Sequence, residues 1–444
     1  MNNPRLHLFF ALICGSAFLA SAAAAAATAT TAATAIAAST GTPAIDPKLK
    51  AAFAAAKTER VAVIALGDSN QRFGGHGWTR HMPRALGETF GCYGTDLTQY
   101  RQWQEKDGPA PATAPAGLAD RAFSYWYIAP GSKEPVSWKN GLLLIPADHP
   151  LGVSGPLRFH LDYGTFADSG AGFQPTVRRD EKPWTVHATA PAPVRPAADV
   201  SEIRHYTLDL PADPARTWQV QFMPNPVKKP LAGPFLATLA QAENTAKRSG
   251  IAYYTLYAAG GKSLRDMVTR LRTLKPARTD EFFAEILRLQ PASDAPDATR
   301  AKGIVMISSG LNDRNQHAPS LGPAPARSST PEGYADNLRA LMTELETIWT
   351  RNGGTAGALH FTFMVSHTLG DPEDAKLASY RKAARALAEK HPDASLIDLS
   401  QLVPYSEMMS RKYYDKGRAT DAHLDPRGYE AISRALAAGL LAAE

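Results

Sequence analysis

A serine stands directly after one of the apolar runs of this chain, in a setting that could do nucleophilic chemistry. The run Val61–Leu66 is followed by Gly67-Asp68-Ser69-Asn70. A serine at a strand-to-helix turn can attack a carbonyl carbon, and its backbone N–H can donate to the oxyanion that forms. Asp-Ser-Asn is also ordinary turn and N-cap chemistry. This stretch alone therefore leaves a nucleophile and a turn equally open.

An imidazole with carboxylates on both sides lies near the end of the chain, in Asp421-Ala422-His423-Leu424-Asp425. His423 could serve as general base and acid, and a neighbouring carboxylate could hold its tautomer. Asp421 and Asp425 compete for that orienting role. His423 could instead bind a metal, but no HExxH or comparable spacing supports a metal site. The sequence predicts neither a metal nor another cofactor.

Two further stretches could supply hydrogen-bond donors to an oxyanion. Gly261 could bring a bare backbone N–H close to a substrate oxygen, and the Asn312 side-chain amide could donate to a developing negative charge. A glycine required only by a turn, or an Asx turn, explains each residue equally well. Gly261-Lys262-Ser263 is also reminiscent of a phosphate loop, but that motif needs a glycine where Leu256 stands. Nucleotide binding is therefore not predicted.

Buried strands and amphipathic helices must position these residues. Each of five apolar runs is followed or preceded by a helical pattern, which predicts a doubly wound α/β sheet of five parallel strands. Ligands bind such sheets beyond the carboxyl ends of the strands. Ser69, Gly261 and Asn312 follow the first three strands, and His423 comes after the fifth. The predicted strands are Val61–Leu66, Ile251–Leu256, Gly303–Ile307, Leu359–Val365 and Ser395–Leu399.

The interval between the first two strands is far longer than the single helix that a crossover needs. Its alternating apolar pattern and many prolines predict an inserted all-β, sandwich-like domain at 95–229. Five of the seven tryptophans fall there, and their rings could either stack on sugars or fill the core of the insertion. They are Trp103, Trp126, Trp138, Trp184 and Trp218.

The amino terminus and the composition bear on where the protein works. Residues 1–27 have the pattern of a signal peptide, and the Ala/Thr-rich segment 28–58 is expected to be a linker with an N-terminal segment. We therefore expect export, to the periplasm or outside the cell, without stable membrane insertion. Cys92 would then be the only cysteine, and we expect it to be buried rather than reactive. The net charge is +6 without a Lys/Arg cluster, so nucleic-acid binding is not predicted.

Four blocks together resemble the SGNH, or GDSL, hydrolases: Gly67-Asp68-Ser69, Gly261, Gly310-x-Asn312-Asp313 and Asp421-x-His423. The resemblance places the hydrolase domain at 59–94 and 230–444. It implies a flavodoxin-like sheet and the cleavage of carboxylic esters, often acetyl groups on carbohydrates. It further implies that Ser69 is the nucleophile, His423 the base and Asp421 its orienting acid. The Ser69 N–H, the Gly261 N–H and the Asn312 side chain would form the oxyanion hole.

Two departures and several alternatives accompany this resemblance. The last block reads Asp421-x-His423 where the family usually has Asp-x-x-His, and Leu311 replaces a glycine of the third block. The leading hypothesis is an exported esterase acting on an acylated carbohydrate or polysaccharide. A polysaccharide O-acetyltransferase with the same triad, a catalytically silent glycan-binding protein and a lipase or arylesterase stay open. The absence of G-x-S-x-G argues against an α/β-hydrolase.

Overall fold

The structure is a computed structural model. It describes residues 45–71, 77–96, 126–128, 142–143, 149–152, 155–165, 172–179, 185–186, 204–213, 218–225, 235–258, 260–273, 276–289, 302–315, 329–366, 374–414 and 423–442. The predicted signal peptide and Asp421 lie outside these residues. So do Trp103, Trp138 and Trp184, while Trp126 and Trp218 are described only as strand positions.

A large mixed sheet, mostly parallel, runs through the described part of the chain. Six of its strands are parallel, and all five predicted strands are among them. The parallel strands are β1 (Arg60–Gly67), β2 (Cys92–Asp96), β11 (Gly250–Ala258), β12 (Lys302–Ser309), β13 (Leu359–Val365) and β14 (Ala394–Ile397), in the spatial order β14-β13-β12-β1-β11-β2.

The sheet has six parallel strands rather than the predicted five, because β2 pairs with β11 in a parallel arrangement. The fifth predicted strand also ends earlier than expected. Leu399 begins a short helix, since the Asp398 carboxylate accepts a hydrogen bond from the Ser400 N–H and caps it.

The sheet continues beyond β2 with antiparallel strands that come largely from the predicted insertion. β10 (Phe235–Asn244) pairs with β2, then β5 (Leu157–Thr165) with β10 and β8 (Arg204–Leu210) with β5, and β3 (Trp126–Ile128) also pairs with β10. Residues 95–229 therefore do not form only a separate sandwich, since β3, β5 and β8 belong to the main sheet. A second, four-stranded sheet contains β4 (Leu142–Leu143), β6 (Gly172–Arg179), β7 (Thr185–Val186) and β9 (Trp218–Asn225).

Helices cover both faces of the parallel strands. β1 is buried on both faces, and its alternate residues enter two different cores: Val61 and Val63 face one, Ala62 and Ile64 the other. The helices are α1 (Pro47–Ala54), α2 (Trp78–Phe90), α3 (Leu264–Thr273), α4 (Pro276–Leu289), α5 (Leu311–Asn315), α6 (Pro331–Arg351), α7 (Ala375–Lys390), α8 (Leu399–Leu402), α9 (Tyr405–Ser410) and α10 (Pro426–Leu441).

Cys92 is buried at the start of β2, as expected. Burial raises the pKa of its thiol to about 12, so the reactive thiolate is scarce at neutral pH. Among the described residues, no helix combines the length and the apolar character required to span a bilayer.

Candidate active site

The carboxyl ends of three adjacent parallel strands lie side by side. Gly67, the last residue of β1, is aligned with Ser308 of β12 on one side and with Ala258 of β11 on the other. The loops that carry Ser69, Gly261 and Asn312 therefore leave the sheet at the same edge. This is the edge at which open α/β sheets bind ligands.

Ser69 begins a short 3-10 turn, Ser69–Gln71, and is half-buried. Asp68 fixes this turn from inside, because its Oδ1 accepts hydrogen bonds from the Asn70 N–H at 2.8 Å and from Asn70 Nδ2 at 3.2 Å. Gln71 anchors the other end by donating to the Tyr253 hydroxyl at 2.9 Å. Within the part of the chain that the structure describes, no residue accepts a hydrogen bond from the Ser69 N–H or hydroxyl.

Gly261 lies in the turn between β11 and α3. Its φ of +73° belongs to the left-handed region, and the turn is exposed: apart from its chain neighbours, no described residue has an atom within 4 Å of where a Cβ would stand. The position of the turn is fixed by a capping box: the Ser263 N–H donates to Asp266 at 2.9 Å and the Asp266 N–H to Ser263 Oγ at 3.3 Å. Within the described part of the chain, the Gly261 N–H donates to no other residue.

Asn312 and Asp313 join the loop after β12 to the loop after β11. Asn312 Nδ2 donates to the Lys262 carbonyl at 3.0 Å, and the amide has a second N–H that this bond does not use. Asp313 Oδ1 accepts from the Leu264 N–H at 2.9 Å, while its Oδ2 accepts from the Gly310 N–H at 3.1 Å. The structure thus brings two of the three predicted oxyanion-hole loops into direct contact.

His423 lies just before α10 and is half-buried. The next residue, Leu424, forms an isolated antiparallel bridge with Tyr414. In the first turn of α10, Tyr429 donates from its hydroxyl to Asn70 Oδ1 at 2.8 Å. The helix that follows the predicted base is therefore hydrogen-bonded to the residue that follows the predicted nucleophile. Among the described residues, Ser69 forms no hydrogen bond with His423, and in unliganded active sites the bond between a nucleophile and its base is often long.

The two candidate orienting acids differ in what the structure says of them. Asp421 lies outside the described residues. Asp425 is already engaged, because its Oδ1 accepts from the Gly428 N–H at 2.9 Å and its Oδ2 from Arg427 Nε at 2.9 Å. Its carboxylate therefore caps α10, with Pro426 as the first helical residue. This makes Asp425 the weaker candidate.

Two buried carboxyl groups stand behind the Ser69 turn. Desolvation raises the pKa of Asp68 to about 6, against the hydrogen bonds from Asn70. Desolvation also raises the pKa of Asp313 to about 7, opposed by the Leu264 and Gly310 N–H groups and increased by the charge of Asp68. Strongly perturbed pKa values of buried groups are common at functional sites.

Another histidine near this end of the molecule is a poor general base. The ring of His81, in α2, stacks on Tyr429 with centroids 6.5 Å apart. Burial, with the charges of nearby arginines, lowers the pKa of His81 to about 4, so it binds protons too weakly for efficient base catalysis near neutral pH. This favours His423.

The motifs predict the candidate residues but not the contacts that hold their loops in place. Tyr429 fits the apolar face of the last helix, and nothing in the pattern indicates that its hydroxyl reaches Asn70. Trp78 likewise fits the apolar face of α2, yet its Nε1 donates to Ser308 Oγ at 3.2 Å. A buried Tyr or Trp usually needs such a partner, which was the one available signal.

No protein-family model matches the chain, and no curated protein does. The comparison with solved structures, in contrast, does find similar chains. A peptidoglycan O-acetylesterase is 14% identical over 88% of this chain and 94% of its own, with a TM-score of 0.45. A carbohydrate acetylesterase from Sinorhizobium meliloti is 14% identical over 42% of this chain and 76% of its own, with a TM-score of 0.26.

The catalytic domain of a Streptococcus pneumoniae peptidoglycan O-acetyltransferase is 16% identical over 44% of this chain and 79% of its own, with a TM-score of 0.22. Similarity at these identities and TM-scores establishes neither a family nor an activity, so neither is inferred from it.

Proposed function

We propose that this protein is an exported serine esterase of the SGNH type that removes acyl groups, above all acetyl groups, from a carbohydrate. The observation that carries the proposal is the meeting of the motif loops at one sheet edge, together with the hydrogen bond from Tyr429 to Asn70. The strand order β11-β1-β12-β13-β14 supports it, because flavodoxin-like sheets have that order.

In the first half of the reaction, Ser69 Oγ attacks the ester carbonyl carbon while His423 takes the hydroxyl proton. The carbonyl oxygen becomes an oxyanion, which the Ser69 N–H, the Gly261 N–H and the Asn312 amide stabilise. When the intermediate collapses, the C–O bond to the sugar breaks and His423 returns the proton to the departing hydroxyl. The acyl group remains on Ser69.

In the second half, His423 takes a proton from water as the water oxygen attacks the acyl-enzyme. The second oxyanion occupies the same hole; when it collapses, the bond from the acyl carbon to Ser69 Oγ breaks, His423 returns the proton to Oγ, and the carboxylic acid leaves. Asp421 orients the imidazole throughout.

The carbohydrate substrate and the export rest on sequence features. The family resemblance points to acetylated sugars, the amino-terminal pattern to export, and the aromatic-rich insertion 95–229 to a second surface beside the catalytic residues. A polymer bound by such a surface would be held in position for attack.

The test is acetate release by the purified chain from 4-nitrophenyl acetate and from a panel of acetylated plant, algal and bacterial polysaccharides. We expect Ser69→Ala to abolish turnover, while the control Ser379→Ala, which removes a helix-surface hydroxyl, leaves it unchanged. Addition of unacetylated sugar acceptors distinguishes hydrolysis from transfer. Full activity of Ser69→Ala on every ester would refute the proposal.

A further inference from the structure

A second cluster of titratable side chains lies on the antiparallel part of the main sheet. His160 of β5 is opposite Thr207 of β8, so His205, two residues from Thr207, is its diagonal neighbour on the same face. Glu285 of α4 approaches this face. One nitrogen or oxygen atom of each residue lies within 4.8 Å of the others. His160 and Glu285 are buried while His205 is exposed, so the cluster is open to solvent on one side.

The orientation of His160 is set from behind by a carboxylate. Its Nε2 lies 3.1 Å from Glu243 Oε1, and Glu243 Oε2 is ion-paired with Arg60 at 3.1 Å. A carboxylate held by an arginine only accepts hydrogen bonds, so His160 donates from Nε2 and its Nδ1 lone pair faces the cluster. Metal-binding histidines are typically fixed in this way by a carboxylate on the far nitrogen.

Two of the three distances between the ligand atoms are close to those around a tetrahedral metal ion, and the third is within 4.8 Å. His160 Nδ1 lies 3.4 Å from His205 Nε2 and 3.6 Å from Glu285 Oε1. Ligand atoms about 2.0–2.1 Å from a tetrahedral Zn²⁺ are about 3.3–3.4 Å from one another. We infer that His160, His205 and Glu285 form a binding site for a divalent transition-metal ion of the zinc class, with the fourth position open to water.

The guanidinium of Arg288 lies between two of the proposed ligands, where the metal ion would bind. Arg288 donates to His160 Nδ1 at 2.8 Å and, through Nε, to Glu285 Oε2 at 2.9 Å. Its side chain is 46% exposed, so it can turn to solvent when a metal ion binds. The Thr207 hydroxyl lies 3.1 Å from His205 Nε2, and a metal ion bound to that nitrogen would replace this hydrogen bond. Arg288 therefore competes with the metal.

The site is distant from the candidate active site. Its supporting ion pair includes Arg60, the first residue of β1, whereas Ser69 follows the carboxyl end of that strand. Eight strand residues span roughly 23 Å. A metal here would clamp α4 to β5 and β8 and so stabilise the antiparallel part of the sheet without taking part in ester cleavage.

The test uses the full chain without a histidine tag, stripped with a chelator, then titrated with Zn²⁺ and dialysed. We expect one Zn²⁺ per chain and a higher melting temperature. His205→Gln, at an exposed position, should weaken binding at least about tenfold, while His391→Gln, on a loop elsewhere, should not. Co²⁺ should give the visible absorption bands of a tetrahedral complex in the wild type and lose them in Glu285→Gln.

Arg288→Ala separates a metal site from a plain ion-pair cluster. If Arg288 competes with the metal, its removal tightens Zn²⁺ binding. No bound Zn²⁺ in the wild type, equal Zn²⁺ content in the wild type and His205→Gln, or an Arg288→Ala variant that only loses stability would overturn the inference. None of these readouts depends on esterase activity, so they leave the proposed function to its own test.

Discussion

The hydroxyl of Tyr429 donates a hydrogen bond of 2.8 Å to Asn70 Oδ1, and both side chains are buried. The two residues are 359 positions apart in the chain. The Tyr429 ring also meets Trp78 edge to face, with centroids 4.8 Å apart. This contact holds the start of α10, and with it the segment of His423, against the turn of Ser69.

Tyr429→Phe should therefore impair catalysis as well as stability. The substitution keeps the ring but leaves the buried Asn70 oxygen without its donor, which costs about 1–3 kcal/mol. We expect kcat on 4-nitrophenyl acetate to fall by roughly tenfold, because the base loses its alignment. Ser433→Ala is the control, since it removes a buried hydroxyl whose one partner among the described residues is the Tyr429 carbonyl, in the backbone of α10. Equal kcat values for the two variants would contradict the positioning role.

Asn312→Ala should lower kcat by roughly 10²–10³ with a smaller effect on KM, as expected for the loss of one oxyanion donor. It also breaks the bond to the Lys262 carbonyl, so stability must be measured beside the kinetics. Asn352→Ala is the matched control, because it also removes a side-chain amide that donates to a backbone carbonyl, that of Ile348 at the end of α6. An unchanged kcat in Asn312→Ala would make Asn312 a loop residue only.

Substitutions of the two acids beside His423, Asp421 and Asp425, should differ in their effects on kcat and on stability. Asp425→Ala removes the cap of α10 and should cost about 1 kcal/mol of stability, with little change in kcat. Asp421→Ala should reduce kcat far more than Asp425→Ala, though less than His423→Ala does. Kinetics and urea unfolding of the three variants provide the comparison. The reverse order of the two aspartates would make Asp425 the orienting acid.

Stability should fall as the pH rises from about 4 to 7. The pKa of Asp68 is raised by burial to about 6, and that of Asp313 to about 7, from an ordinary value of 3.8. Because the native pKa values exceed the unfolded one, the native state binds protons more tightly. The stabilisation is full below pH 4 and is lost as the pH rises through these native values.

Asp68→Asn should flatten this profile, since a shift of about two pKa units corresponds to about 3 kcal/mol. Urea unfolding of the wild type and the variant at several pH values between 4 and 8 measures it. The control is Asp209→Asn. The exposed carboxyl of Asp209 has a pKa lowered by its hydrogen bond to Arg158, so it titrates below pH 4 and its removal should leave the slope between pH 4 and 8 unchanged. An identical slope in Asp68→Asn and the wild type would show that Asp68 does not titrate here.

Five of the six parallel strands were predictable because each of them is a run of apolar residues, long enough to be recognised without its neighbours. β2 was missed because its sequence, Cys-Tyr-Gly-Thr-Asp, has little apolar character. The alternating patterns of β5 and β9 correctly predict strands, but they do not say which sheet a strand joins: β5 belongs to the main sheet and β9 to the second one. For β5, that choice depends on pairing with β10, which is distant in sequence.

Candidate sites are limited in the same way: the sequence predicts those whose residues lie in short motifs, but not those whose residues meet only in the folded chain. Ser69, Gly261 and Asn312 could be predicted as candidate site residues because short motifs surround them and because successive parallel strands end at one edge. The cluster of His160, His205 and Glu285 has no motif, since its members come from three elements and meet only in the folded chain. Sequence spacing reveals sites that are local and misses those assembled by tertiary pairing.

The most direct test of the central claim is the location of covalent modification by a fluorophosphonate. The wild type is labelled, digested and analysed by mass spectrometry, beside Ser69→Ala and Ser379→Ala. If Ser69 is the nucleophile, we expect one adduct per chain, on Ser69, that is retained in Ser379→Ala and absent from Ser69→Ala. An adduct on another serine, or labelling that survives Ser69→Ala, would contradict it.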